Sequence, residues 1–471
     1  MTAAAFDVIV IGSGPGGYRA AVLLSLQNKR VAIIEKATWG GCCLNRGCVP
    51  KKDWHHTAQI MVASEKFAQR GLLGRLQPDL LSAWRHQQQV VQTVRENYVN
   101  YLQRLGVKRY EGHGRMTGPT TVTVEGKDAT QLRARHIILA TGSHSVFPNG
   151  VSAVENRIID TDALFDQPPP EGARVAILGS GVIATEFAFI LQQLGKEIHW
   201  FARSDMLSRT AFSDQARRLL RQALKSSGVQ ELQTRWPNKI SVTADGVQLQ
   251  FDDGTEQQVD WVLVATGRRP YTDGLGLEQA AVQTNDRGFV VSNEFLQTTQ
   301  AEIYAIGDCT SEAMTANQAL ADATVVVSNI VHGNQRKQNP LWVPQLIYSA
   351  LELARTGMNE DQAEDEGFEP AVGFAAFESS PRALGQDDAE GFVRLLADMD
   401  SGEFLGAELV GAEVGELIHL LGCGEHREKI LQRLAAMPFN HPSRAEEILN
   451  ALETMAGKWG LSDFIFAPNE E

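Results

Sequence analysis

The sequence predicts an α/β protein with two separate βαβ units, on three observations. An apolar, β-branched run, Phe6–Ile11, leads into Gly12, Gly14 and Gly17 in GxGxxG spacing. A second run, Arg174–Leu178, leads into Gly179, Gly181 and Ala184, the same spacing with alanine as the third small residue. Directly downstream of the first turn, Cys43 and Cys48 form a CxxxxC pair.

Both runs suit parallel strands covered on two faces. The glycines permit a tight turn, and the helix that follows, Tyr18–Leu26, offers the N–H groups of its first turn to a pyrophosphate. Val31–Ile34 is the next strand, and Glu35, 23 residues past Gly12, is placed to hydrogen-bond an adenosine ribose. The second unit continues through helix Thr185–Leu194 into strand Glu197–Phe201, but the position 23 past Gly179 is Ala202. Arg203 and Arg209 follow it. A carboxylate there would repel a 2′-phosphate, whereas two guanidinium groups pair with its oxygens, so NADP(H) is favoured over NAD(H). The dithiol sits where the redox ring of the first dinucleotide would reach it, which makes it a candidate redox-active disulfide.

At 471 residues the chain is long enough for three or four domains, each with its own core. A net charge of −14 argues against nucleic acid as a partner. No basic segment precedes an apolar one at the N-terminus, and no apolar run spans a bilayer, so no membrane association is expected. Five cysteines clustered mainly at one motif suit a reducing cytoplasm and catalysis better than a secreted disulfide framework. Cys309 and Cys423 read as buried or incidental.

Further motifs occur in order: Ala140-Thr141-Gly142, Ala265-Thr266-Gly267-Arg268-Arg269-Pro270, Ala305-Ile306-Gly307-Asp308, and His441-Pro442 with Glu446. With them, the chain resembles the class I pyridine nucleotide–disulfide oxidoreductases over nearly its whole length. The resemblance implies two Rossmann-like, three-layer nucleotide-binding domains and a C-terminal α+β dimerisation domain. Their expected limits are 1–148 (first part of the FAD domain), 149–270 (NAD(P) domain), 271–342 (return to the FAD domain) and 343–471 (interface domain). It implies FAD at the first turn, with Gly41, Thr141, Gly142 and Asp308 among the binding residues. The helix Thr315–Val331, with Ala316 in its first turn, would direct its N-terminus at the flavin pyrimidine edge, where negative charge develops on reduction. NAD(P) would occupy the turn of Gly179, Gly181 and Ala184, with Gly267 nearby.

By the same resemblance, Cys48 is the flavin-proximal sulfur and Cys43 the exposed interchange thiol. Exchange needs a lowered thiolate pKa, which a helix N-terminus and a nearby base would supply. Lys51 or Lys52 would lie near the flavin and pair with Glu186. His441, held by Glu446, would be the acid–base group and would reach the dithiol of a partner subunit, so the expected assembly is a homodimer with shared active sites.

Ser379–Gly385 and Leu405–Gly411 look most like dihydrolipoamide dehydrogenase, whereas Val49-Pro50-Lys51-Lys52 and Ala202-Arg203-Ser204 resemble glutathione or mercuric reductases. The expected substrate is a lipoyl-bearing protein; the alternatives are a small disulfide, as in glutathione reductase, and a non-catalytic flavin module. Cys42 stands where the family has threonine, Arg46 where it has valine, and Ala350-Leu351 where relatives read His-Pro. Gly422 and Gly424 interrupt a normally long interface helix.

Overall fold

The computed structural model describes residues 4–422 and 427–466. The first elements are β1 (Ala4–Ile11), α1 (Pro15–Leu26) and β2 (Val31–Glu35). Proline is tolerated in the first turn of α1 because that N–H has no intrahelical acceptor. Two helices then carry the cysteine motif, α2 (Gly41–Arg46) and α3 (Cys48–Ser64). The longest of the helices described so far is α4 (Leu80–Arg104), whose N-cap Asp79 accepts the N–H of Leu81. Strands β3 (Lys108–Glu111), β4 (His113–Gly118), β5 (Thr121–Glu125), β6 (Thr130–Leu139) and β7 (Ser143–Ser145) follow. Next come β8 (Ile158–Ile159), α5 (Thr161–Asp166) and β9 (Arg174–Leu178).

The second βαβ unit continues with α6 (Val182–Gln193), β10 (Glu197–Phe201) and α7 (Asp214–Ser226). Three antiparallel strands, β11 (Lys239–Thr243), β12 (Gly246–Gln250) and β13 (Glu256–Val259), precede β14 (Trp261–Val264). The chain then forms β15 (Arg268–Pro270), β16 (Ile303–Ala305) and α8 (Ala316–His332). The C-terminal region runs β17 (Gln345–Tyr348), β18 (Glu352–Gly357), α9 (Glu360–Asp365), β19 (Pro370–Ala376), α10 (Pro381–Gln386), β20 (Phe392–Asp398) and β21 (Phe404–Gly411). It ends in α11 (Val414–Leu417), α12 (Arg427–Ala436), α13 (Glu446–Trp459) and α14 (Ser462–Ile465).

Two compact units result. The first comprises Met1–Thr57, Asp79–Gly179 and Trp236–Gln338; the second comprises Ala58–Pro78, Ser180–Arg235 and Asn339–Glu471. In the first unit a sheet of order β3-β2-β1-β6-β5-β4, with β16 also on β6, forms the frame. Its β3, β2, β1, β6 and β16 neighbours pair in parallel, and β4 and β5 complete it antiparallel. Successive residues of β1 serve opposite faces: Val8 and Val10 join a core with α1 and α8, and Ile9 and Ile11 join a core with Met116, Val122 and Leu132. Each such fully buried side chain stabilises by about 1.5–3 kcal/mol, which is why the run reads as uniformly apolar. In the same unit β14 lies between β8 and β9, all parallel, and β7 pairs with β15 as a short antiparallel ribbon.

The second unit holds an antiparallel sheet of order β17-β18-β21-β20-β19. Helix α13 covers it so closely that a Cβ at Gly373 on β19 would sit 2.3 Å from the carbonyl oxygen of Ala451. No helix among the described residues is long and apolar enough to cross a membrane.

Candidate active site

The first turn is built by exclusion of side chains. Gly12 has φ +103°, and a Cβ there would lie 2.3 Å from Ala140 O; one at Gly17 would lie 2.0 Å from Gly12 O. Gly14 differs: a Cβ there meets nothing within 4 Å, and as N-cap of α1 it makes no side-chain cap. Helices α4, α5, α7, α8 and α9 all have side-chain caps. The open N-terminus of α1 therefore fits a dinucleotide pyrophosphate, which is the group this turn would hold.

Glu35 ends β2 beside this turn. Its Oε2 accepts from Ser13 N at 3.0 Å and Ser13 Oγ at 2.6 Å, and its Oε1 accepts from Ala37 N at 2.9 Å. Remaining lone pairs of the carboxylate would take ribose hydroxyls. Ser13, a residue the spacing argument skips, also accepts the N–H of Gly40 at 2.9 Å and so ties the turn to the cysteine motif. Gly41 completes the join: with φ +64°, its Cβ would fall 2.7 Å from Gly14 Cα.

Cys42 and Cys43 lie on α2, and Cys48 is the first residue of α3. Gly47 makes the corner between them, where a Cβ would stand 3.2 Å from Cys43 Cα. The side chains of Cys43 and Cys48 lie within hydrogen-bonding reach of each other. The sequence reading expected an exposed Cys43 with a lowered pKa. Here Cys43 is half-buried and its thiol is pushed well up, first by the bond to Cys48 and then by burial. The corner that brings the sulfurs together is the physical reason, since each thiol shields the other. Lys51 is half-buried and Lys52 exposed, so successive residues of α3 face different ways.

Around this motif lies a polar cluster that joins Asp308 and Arg268 of the later motifs to Ser143, which the motifs did not single out. Asp308 Oδ2 accepts from Ser143 Oγ at 2.5 Å. Burial pushes the Asp308 carboxyl up, while Ser143 and the Arg268 guanidinium oppose that rise. Arg268 on β15 donates from Nε to Ser143 Oγ at 2.8 Å and from Nη2 to Ser143 O at 2.8 Å. The same guanidinium reaches Cys42 and Asp162. The pairing of β15 with β7 brings Arg268 to Ser143, a meeting that no local spacing announces. Thr141 Oγ1 donates to Tyr271 O at 2.7 Å, and Gly142, at φ +73°, faces open space. Thr315 caps α8, whose first residue is Ala316.

The second turn repeats the first in outline. Gly179 has φ +138°, and Gly181, the N-cap of α6, has no side-chain cap and open space at its Cβ position. Helix α6 starts at Val182, three residues before the expected Thr185, because the turn delivers the chain directly into it. Within the second unit, the Oγ atoms of Ser180 and Ser204 lie 2.9 Å apart, and Ser180 O accepts Leu207 N–H at 2.8 Å. Ala202 is buried, whereas Arg203 and Arg209 are exposed. Glu186 on α6 is 1% exposed, and its Oε1 accepts the N–H of Tyr348 at 2.9 Å.

His441 is exposed, with Nδ1 2.8 Å from Glu446 Oε1; Glu446 Oε2 accepts Ser443 N–H at 2.7 Å. Glu446 is held below the usual carboxylate range by these two bonds, the one to His441 first. Cys309 is fully buried, donates to Ile306 O at 3.3 Å, and is pushed up to about 11 by burial, so it is inert. Cys423 and Gly424 lie outside the described residues. Among the described residues no cluster could hold a metal ion.

The fold and these turns define an α/β flavin- and nicotinamide-binding protein with a dithiol at its first nucleotide site. Residues 6–323 match the family described as pyridine nucleotide-disulphide oxidoreductase, and residues 343–452 match its dimerisation domain. The chain is 31% identical over 462 residues to dihydrolipoyl dehydrogenase 3 of Pseudomonas putida, covering 96% of this chain and 98% of that protein. Its structure is similar to LpdA of Mycobacterium tuberculosis, with TM-score 0.88 and 21% identity over 95% of this chain and 99% of that one. It is also similar to the HOCl-induced flavoprotein disulfide reductase RclA of Escherichia coli, with TM-score 0.81 and 25% identity over 95% and 99%. The chain belongs to the pyridine nucleotide-disulphide oxidoreductase family and is an FAD-dependent dithiol–disulfide oxidoreductase.

Proposed function

We propose that the enzyme passes electron pairs between a (dihydro)lipoyl substrate and NADP(H) through FAD and the Cys43–Cys48 couple. The observation that carries this reading is the hydrogen bond between those two thiols, at a corner joined through Ser13 and Gly41 to the flavin turn. Bound FAD supplies hydride exchange with the nicotinamide and electron-pair exchange with the cysteine couple. The residues of the chain do the rest. Gly12, Gly14 and Gly17 seat the pyrophosphate, Glu35 takes the ribose, and Asp308 with Ser143 lines the flavin-facing side.

In the disulfide-reducing direction, the Cys43 thiolate attacks one substrate sulfur, the substrate S–S bond breaks, and one substrate thiolate leaves. Cys48 then attacks Cys43, which releases the second substrate thiolate and forms the Cys43–Cys48 bond. Each departing thiolate needs a proton. His441 from a second copy of the chain supplies it at Nε2, since Nδ1 is engaged by Glu446. The same imidazole, when neutral, takes the proton from Cys43 and offsets the raised pKa of the dithiol state. This reading requires a homodimer built on the dimerisation domain. It divides the chain into 1–148, 149–270, 271–342 and 343–471, and it places the enzyme in a reducing cytoplasm.

A second reading, an NADPH-dependent reductase of a small disulfide, is favoured by one observation. Arg203 and Arg209 are exposed just after β10, where the first unit carries an acid. Steady-state kinetics with NAD(H) and NADP(H), each against dihydrolipoamide, lipoamide and glutathione disulfide, separates the two. Turnover of dihydrolipoamide with NADP⁺ is the expected result. Failure of both lipoamide assays alongside brisk glutathione disulfide reduction would reverse the assignment.

A further inference from the structure

Three thiols stand between residues 42 and 48, and the exchange chemistry uses two of them. Cys42 is adjacent to the attacking cysteine, so it is the obvious competitor. A Cys42 thiolate attacking the Cys48 sulfur of the Cys43–Cys48 bond would form Cys42–Cys48 and release Cys43 as a thiolate. That exchange is redox-neutral and needs no co-reactant, yet it would strand the enzyme in a wrong pairing.

The structure encloses Cys42 between two charged side chains from different elements. Arg268 Nη2 on β15 donates to Cys42 Sγ at 3.5 Å, and Cys42 Sγ donates to Asp162 Oδ1 on α5 at 3.9 Å. The guanidinium cannot follow the sulfur if the latter moves. Ser143 Oγ, Ser143 O and Ser145 Oγ, on the facing strand β7, hold it at 2.8, 2.8 and 3.2 Å, and its side chain is 12% exposed. Arg268 also lies 3.7 Å from Asp162 Oδ1. The groups bearing on Cys42 are thus Arg268 on β15, which favours its thiolate, and Asp162 on α5, Cys48 on α3 and Asp308, which oppose it. Burial is the largest influence and, with them, pushes this thiol up to about 12.

Helix α5 also grips the far end of α2. Asp166, one turn beyond Asp162 and so on the same face, accepts from Arg46 Nε at 2.7 Å. Both residues by which the cysteine-bearing helix departs from the family pattern, Cys42 and Arg46, are therefore met by carboxylates of one helix.

We propose that Asp162 is a positioning residue that offsets the Arg268 guanidinium and so keeps Cys42 a protonated bystander, so that Cys43 alone attacks and Cys48 alone resolves. The inference rests on the reading of Cys43–Cys48 as the redox couple. The test uses the reduced full-length holoenzyme, pulse-alkylated with iodoacetamide and mapped by peptide mass spectrometry, then reoxidised and mapped for disulfides. In the wild type Cys43 is alkylated first, Cys42 is protected, and reoxidation yields only Cys43–Cys48.

Asp162→Asn leaves the cation without its counter-charge, so Cys42 alkylation rises about tenfold, as for a pKa falling by one unit, and disulfides containing Cys42 appear. Arg268→Gln removes the cation instead, and Cys42 stays protected. Combining Asp162→Asn with Cys42→Ser restores the single pairing. A merely structural role would raise Cys42 alkylation in both single variants, and that result overturns the proposal. An unchanged Asp162→Asn protein that still forms Cys43–Cys48 overturns it too, while leaving the redox couple intact. A wild type that never forms Cys43–Cys48 overturns the couple itself. Should Asp162→Asn fail to fold, the wild-type map decides alone: Cys42 alkylated as fast as Cys43 sinks the inference.

Discussion

The two glycine turns share spacing but not what surrounds them. At the first, Glu35 is locked to Ser13 and Ala37, and Ser13 in turn holds Gly40 at the head of the cysteine motif. At the second, Ala202 stands in place of the acid and is buried, while Arg203 and Arg209 remain exposed. One turn is tied to the head of the cysteine motif, and the other is followed by exposed positive charge. A βαβ scaffold thus fixes where a pyrophosphate goes, and the residue after the next strand selects the nucleotide.

The largest expected effect comes from breaking the shared part. Gly17→Val places carbon against Gly12 O, where even a Cβ would sit 2.0 Å away, and we expect a colourless, poorly folded protein, a loss above about 4 kcal/mol. Gly181→Ala at the second turn meets open space. That variant should fold and keep its flavin spectrum, yet lose nicotinamide affinity because the methyl occupies the approach to the α6 N-terminus. A Gly181→Ala enzyme with normal NADPH kinetics would remove the parallel between the turns.

The contrast in charge is sharpened by replacing Arg203 and Arg209 together with alanine. Two charge-assisted contacts at about 1.5–3 kcal/mol each imply a rise in KM for NADPH of at least about a hundredfold, with KM for NADH changed less than about twofold. Equal effects on both coenzymes would deny these arginines a part in reading the 2′-phosphate.

A smaller effect lies away from both turns, at Glu446. Its folded pKa is depressed by His441 and by Ser443 N–H. The stability it contributes is therefore present above the unfolded glutamate value, near 4.3, and is lost as pH falls through the lower folded value. Melting temperature against pH should show this acid-side loss in the wild type and a shallower one in Glu446→Gln. Smallest of all, Thr315→Ala at the N-cap of α8 should cost about 1 kcal/mol in denaturant unfolding. Helices α1 and α6 have no such cap to lose.

The elements legible in the sequence were those whose signal is local. The strands Phe6–Ile11 and Arg174–Leu178 read as apolar because both faces are covered, and the helix that the resemblance implies over Thr315–Val331 is α8, capped by Thr315. Cys43, Cys48, His441 and Glu446 stood out through short spacings that the fold preserves: a corner at Gly47 and a carboxylate five residues from its histidine. The state of Cys43 was misread because its neighbour's hydrogen bond and its shielding are properties of the folded corner.

Chain order alone determined the two glycine turns, the acid at one and the arginines after the other, and the placement of a dithiol behind the first. Those are contacts within a few dozen residues, encoded by periodicity and by the conformations that only glycine adopts readily. Only the tertiary structure decided that Arg268, 226 residues from Cys42, would point at it, and that Asp162 would face it from the other side. Such meetings depend on strand pairing and helix packing across the chain, and a linear pattern carries no record of them.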